Sequence, residues 1–154
     1  MKEKYSVLLV LIWSLFSISC RPTETPPPPK SEATMMLMPW KLTDYYILPN
    51  AMWSKSDANK LLFKEAFMTK NSIKFNGQTC KNIRFNRSPV SLKQYLSNQY
   101  NISVEAMKLT EHKATIVSTN CNLSGFKNYL QLDDGRILIV INGVGFFLVP
   151  AMAY

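Results

Sequence analysis

Residues able to do acid–base, thiol or metal chemistry are few in this 154-residue chain: three cysteines (Cys20, Cys80, Cys121), one histidine (His112) and ten carboxylates. A histidine-based zinc site needs several further ligands, and a lone His112 in Thr110-Glu111-His112-Lys113 does not supply them. No Gly-x-Ser-x-Gly elbow accompanies His112 to suggest a Ser-His-Asp arrangement. Asp133-Asp134-Gly135 has the start of a calcium loop, but the further acidic ligands do not follow, and a turn accounts for it better. Glu105 and Glu111 could form a carboxylate pair, yet nothing around them marks a cleft. Phosphate loops and dinucleotide fingerprints are absent from the sequence, and neither Cys80 nor Cys121 lies in a CxxC or beside a histidine that would depress a thiol pKa. The expectation is a non-enzyme, with no catalytic residue, no metal site and no cofactor.

Cys20 stands in a different context. Lys2 and Lys4 precede an apolar run over residues 7–16, and Ser17-Ile18-Ser19 then leads into Cys20. The run is about half the roughly 20 residues that a membrane-spanning helix needs, so the segment reads as a cleaved export signal rather than an anchor. It resembles the signal of bacterial lipoproteins, with Ser19 suiting the position before the cysteine and Ser17 standing where that pattern usually has Leu. The resemblance covers residues 1–20. It implies that residues 1–19 are removed, that the Cys20 thiol is acylated, and that the protein is held to a membrane of the bacterial cell envelope. Arg21, rather than an aspartate, after the cysteine favours the outer membrane. Several acyl chains, at roughly 0.8 kcal/mol per buried methylene, would make that anchoring stable.

If Cys20 carries lipid, Cys80 and Cys121 remain as a pair in an oxidising compartment, and a structural disulfide is the expected use. In the chain-entropy model such a bond stabilises by roughly 3–4 kcal/mol. Residues 20–34 hold the lipidated cysteine and a tract with five of the nine prolines and no large apolar side chain. Such a tract favours extended polyproline II and could lift a domain on the order of 40 Å from the lipid surface. Residues 35–154 then form one globular domain. Removing two lysines and one glutamate with the signal lowers the formal net charge from +8 to +7, with the lysines scattered rather than in runs. In the envelope, a basic surface meets anionic headgroups, polysaccharide or acidic proteins more readily than nucleic acid.

The elements that must position these residues can be read in outline. Residues 40–48 form a strand or extended arm ending at Pro49. Ser56-Asp57 supplies a cap for a helix over residues 57–64 with Ala58, Leu61 and Leu62 on one side. Residues 66–75 and 79–85 pair as strands across Asn76-Gly77. Pro89 stops the second of them, and Ser91 with Gln94 three residues on fits a capping box for a helix over residues 92–100. Residues 113–120 are rich in β-formers. Residues 128–132, 136–141 and 144–149 follow as strands separated by Asp133-Asp134-Gly135 and Asn142-Gly143. Residues 136–141 are apolar at both parities, as a central strand covered on both faces would be. Phe146 and Phe147 cannot share a sheet face, so one of them sits under a helix or in solvent. Met35-Met36-Leu37-Met38 either packs on the sheet, the favoured reading, or offers an adaptable contact surface.

Together these give an α+β domain, mainly antiparallel sheet in the form of a curled sheet or small barrel, with two short helices and a C-terminal three-strand meander. The functional expectation is an envelope-anchored lipoprotein acting as a non-enzymatic protein-binding module, an accessory or assembly factor or an inhibitor. Its partners would be the membrane, through the anchor at Cys20, and an envelope protein, with no nucleic acid. The alternative is a carrier of a small apolar ligand in a barrel or sheet–helix cavity.

Overall fold

Asparagine and glycine at positive φ divide the second half of the chain into short strands. A computed structural model describes residues 39–110 and 112–151. In chain order these form β1 (Trp40–Ile47), α1 (Lys55–Asn59), β2 (Glu65–Met68), β3 (Ser72–Phe75), β4 (Gln78–Lys81), β5 (Phe85–Ser91) and α2 (Leu92–Tyr100). A 3₁₀ turn (Glu105–Met107) then leads to β6 (Lys113–Thr119), β7 (Asn128–Leu132), β8 (Ile137–Ile141) and β9 (Val144–Pro150). Asn76 (φ 47°) with Gly77 (φ 79°), and Asn142 (φ 49°) with Gly143 (φ 81°), make the two-residue hairpins anticipated at those sites. Gly143 is required there for a second reason: a Cβ would sit 2.4 Å from the Ala51 Cα. The signal segment, Cys20, the proline tract and Met35–Met38 lie outside the described residues.

The strands join in one antiparallel sheet of nine, in the order β4-β3-β2-β1-β9-β8-β7-β6-β5. Its edges, β4 and β5, are separated in sequence by residues 82–84 alone. Four Cα steps reach at most about 14 Å, whereas a flat sheet of this width would hold its edges on the order of 38 Å apart. The sheet therefore curls into a half-barrel whose edges converge at one end without pairing. Three contacts close that end. Cys80, on β4, is bonded to Cys121 beyond β6 with Cα atoms 5.7 Å apart. The Ile83 amide donates to the Asn71 carbonyl at 3.0 Å. Asn120 bridges the linker, its Oδ1 accepting from the Arg84 amide at 2.8 Å and its Nδ2 donating to the Asn82 carbonyl at 3.3 Å.

Curling gives the sheet two cores. Inside lie Leu42, Phe126, Ile139, Phe146 and Leu148, all fully buried, with Ala58 of α1 and Leu61 closing over them. Outside, Leu92 and Leu96 of α2, with Met107 and Leu109, pack on Leu130, Leu132, Leu138 and Phe147. β8 is thus covered on both faces as expected, Ile137, Ile139 and Ile141 facing in and Leu138 out. The adjacent phenylalanines separate in the same way, Phe146 into the inner core and Phe147 beneath the helix.

Four expectations need correction. The first helix spans Lys55–Asn59 and is capped by Ser54, because Asp57 three residues on returns its carboxylate to the Ser54 amide in a reciprocal box. Residues 66–75 are two strands rather than one: the Thr69 hydroxyl accepts from the amides of Asn71 (3.2 Å) and Ser72 (2.9 Å) and folds a turn without glycine or proline. The strand after Asn76-Gly77 ends at Lys81, where Asn82 adopts φ 57°. Pro89 lies within β5 instead of stopping it. The Leu92 amide donates to the His112 carbonyl, so even-numbered residues of β5 face β6 and the missing N–H of Pro89 points away from the sheet, where an edge strand tolerates it. The meander also gains a fourth strand, β6, beside the three anticipated.

Candidate functional site

The residues singled out for chemistry do not converge. Cys80 and Cys121 are joined, as expected, and hold the closed end of the half-barrel. His112 is exposed just before β6 and contributes its backbone carbonyl to the Leu92 amide. The Glu105 carboxyl is held below its ordinary value, first by its own backbone amide and then by the Ser103 hydroxyl, with weaker help from Lys93 and His112. Glu111, the other half of the conceivable carboxylate pair, lies outside the described residues. Asp134 accepts from the amide and Nε of Arg136, at 2.9 and 2.5 Å, across the turn at Gly135 (φ 86°). That geometry makes Asp133-Asp134-Gly135 a hairpin turn, and it places the Arg136 guanidinium 5.0 Å from the centre of the Phe147 ring. Among the described residues, no group of three or more His, Cys, Asp or Glu side chains is placed to hold a metal ion.

What the fold does assemble is a surface. Along β2–β4, Ala66, Ile73 and Phe75 turn inward at alternate positions, so Glu65, Phe67, Lys74, Thr79 and Lys81 turn outward. Register brings them into contact: Lys41 lies opposite Glu65, Phe67 opposite Lys74, and Lys74 opposite Thr79. Phe63, at φ 65° in the bend before β2, donates its amide to the Leu42 carbonyl and is 65% exposed, with the Lys41 ammonium 5.4 Å from its ring centre. A cation over an exposed aromatic face contributes about 0.5–1 kcal/mol. The Lys64 ammonium donates to Asn76 Oδ1, and a cleft of about 240 Å³ runs between Lys64, Phe67, Lys74 and Asn76. Three lysines (Lys41, Lys64, Lys74) and two aromatic rings (Phe63, Phe67) thus lie about Glu65, with Lys81 on the outward side of β4. Among the described residues, nothing covers this outer face as α2 covers β6–β8.

Comparison with protein-family models, with curated proteins and with solved structures finds no match for this chain. The surface must therefore be read from its own chemistry. Sequence alternation already put Lys74 opposite in parity to Ile73 and Phe75. The contribution of Phe63 had no comparable signal, because it depends on a positive φ in a phenylalanine whose amide is tied to the Leu42 carbonyl.

A second region is built from α2. Two clefts open to solvent meet at Asn98 and Gln99. One, of about 310 Å³, lies between the end of α2, the chain after β1 and the β8–β9 turn. The other, of about 380 Å³, lies between α2 and β5. Tyr100 lines the first and Tyr95 the second, the two rings standing edge-on with centres 6.1 Å apart, and burial pushes the Tyr100 hydroxyl pKa well up. Ser91 accepts from the Gln94 amide at 3.4 Å, but among the described residues the Gln94 side chain makes no return bond and stays at the cleft.

Proposed function

We propose that this protein is an envelope-anchored lipoprotein that works as a non-enzymatic protein-binding module, and that it holds an acidic protein partner on the outer face of β1–β4. The observation that carries the reading is the group formed by Phe63, Phe67, Lys41, Lys64 and Lys74 on a face left uncovered among the described residues. Aromatic rings with flanking cations suit a partner that supplies carboxylates around an apolar contact. The lysines steer the encounter, and the rings supply desolvated contact area.

The anchoring half of the proposal rests on the resemblance of residues 1–20 to a lipoprotein signal, and the Cys80–Cys121 bond is in keeping with an oxidising compartment. The inner core favours a binding module over a carrier of a small apolar ligand. The space such a ligand would take is occupied by Phe126, Phe146, Leu42 and Ile139.

Crosslinking in intact cells that express the full-length chain, followed by purification from membranes, tests the proposal. One partner should be recovered in stoichiometric yield with the wild type and lost with the paired substitutions Lys41→Glu and Lys74→Glu. Recovery of the same partner by that variant would overturn the assignment of the face. Cys20→Ser should release the protein from the membrane fraction; a variant still bound there would overturn the anchor.

A further inference from the structure

The two clefts beside α2 differ in kind from the basic face. The protein has a net charge of +8, yet every residue lining both clefts is uncharged. Carboxamides dominate them: Asn50, Asn98, Gln99 and Asn101 around one, and Gln94, Asn98 and Gln99 around the other. Among the described residues these five side chains have no hydrogen-bond partner within the protein. Each presents two donor hydrogens and an acceptor oxygen, and all but Asn50 are carried by one helix and its cap. That helix is fixed by Leu92 and Leu96 in the outer core and by Asn101 at φ 53° as its left-handed cap.

We infer that these clefts form a binding site for a neutral oligosaccharide, separate from the protein-docking face. Adjacent sugar hydroxyls act as donor and acceptor together, and a row of carboxamides meets them without a charge to desolvate. Half-buried Tyr95 and Tyr100 offer ring area for the apolar faces of the sugar rings. Each cleft lies within the size range of small-ligand sites. A peptide would instead seek an unpaired strand, and the strand beside the second cleft is β5, in which Pro89 turns its missing N–H outward. The anionic ligands that the basic face would take find no cation in these linings.

Saturation-transfer NMR with the full-length chain in detergent, using maltotriose and tri-N-acetylchitotriose as probes, tests the inference. Saturation should reach at least one of the two sugars. An uncharged hydrogen bond changes affinity by roughly fivefold, so Asn98→Ala with Gln99→Ala should weaken binding at least about tenfold. Both residues are exposed, and the variant should keep the wild-type unfolding temperature. Lys41→Glu with Lys74→Glu should leave sugar binding unchanged, which separates this site from the docking face. No transfer to either sugar, or transfer indifferent to the Asn98 and Gln99 substitutions, would overturn the inference. So would equal competition by the uncharged peptide N-acetyl-Gly-Ser-Gly-amide, which would assign the clefts to peptide backbone.

Discussion

The two halves of the curled sheet are built from the same kind of strand but finished differently. β6–β9 are sandwiched, with Ile139 and Phe146 in one core and Leu138 and Phe147 in the other. Among the described residues β2–β4 are covered on the inner face only, and their outer face carries Phe67, Lys74, Thr79 and Lys81. Side chains held on two sides contribute mainly to stability, and changing them unfolds the molecule. Side chains on an uncovered face can change without great loss of stability, so that face is where binding can reside. The comparison also explains the placement of the disulfide. The half-sandwiched strands cannot rely on a second core, and Cys80 on β4 is bonded across the closed end to Cys121, just beyond β6 of the doubly covered half.

Truncating the doubly covered half should have the largest effect. Leu96 is fully buried between α2 and the sheet, and Leu96→Ala should cost about 2–5 kcal/mol, read as a shift in the urea midpoint. A loss below about 1 kcal/mol would mean that α2 is only loosely docked and that the outer core does not distinguish the two halves. Opening the disulfide should come next. Cys80→Ser with Cys121→Ser should cost roughly 3–4 kcal/mol, with hydrogen exchange accelerated first in β2–β4 and little in β8 and β9. Uniform acceleration over the whole sheet would dissolve the distinction.

A smaller effect is expected on the uncovered face. Phe63 is 65% exposed, and Phe63→Ala should change stability by no more than about 1 kcal/mol, the cation–π contact with Lys41 included. The same substitution should remove most of the partner recovered by crosslinking. Stability lost without partner loss would move Phe63 from the binding surface to the structural part of the molecule.

Legibility in the sequence followed the same division. The β7–β8–β9 hairpins and α2 were readable because local chemistry decides them: Asn142-Gly143 and Gly135 at positive φ, a serine cap, and β8 apolar at both parities. Period two alone separated Phe146 from Phe147, while which of them faces the inner core was decided by where α2 packs. The first half was readable at Asn76-Gly77 and resisted where its turns are made by side chains. The Thr69 hydroxyl folds the β2–β3 turn, Asp57 chooses Ser54 over Ser56 as the cap, and Asn82 ends β4 without glycine. Pro89 misled because a proline's effect depends on which way its missing N–H faces, and that depends on β5 being an edge. The basic face was hidden for a related reason: lysines scattered through residues 41–81 gather only when three short strands stack in register. The cleft amides were equally invisible, since Asn50 reaches α2 only through the packing of the chain after β1.

The smallest expected effect lies at the cap of α1, the helix whose Ala58 seals the inner core of the weaker half. Asp57 accepts from Lys60 Nζ at 2.8 Å and from the Ser54 hydroxyl and amide, and Lys60 above all holds its carboxyl at about 2, below the ordinary 3.8. A carboxylate whose folded pKa is depressed contributes stability that is fully present above its unfolded pKa and is lost as pH falls through the folded one. The contribution should therefore be complete above about pH 5 and vanish by about pH 1. Asp57→Asn should be modestly less stable than wild type at neutral pH, with the difference shrinking across that window until the two unfolding midpoints meet. Because α1 closes only the inner core, the loss should appear first in exchange at Ala58 and along β1 and β2, while β8 stays protected. An acid response that Asp57→Asn leaves intact would place it in another carboxylate, and the cap of α1 would then have no part in what separates the two halves.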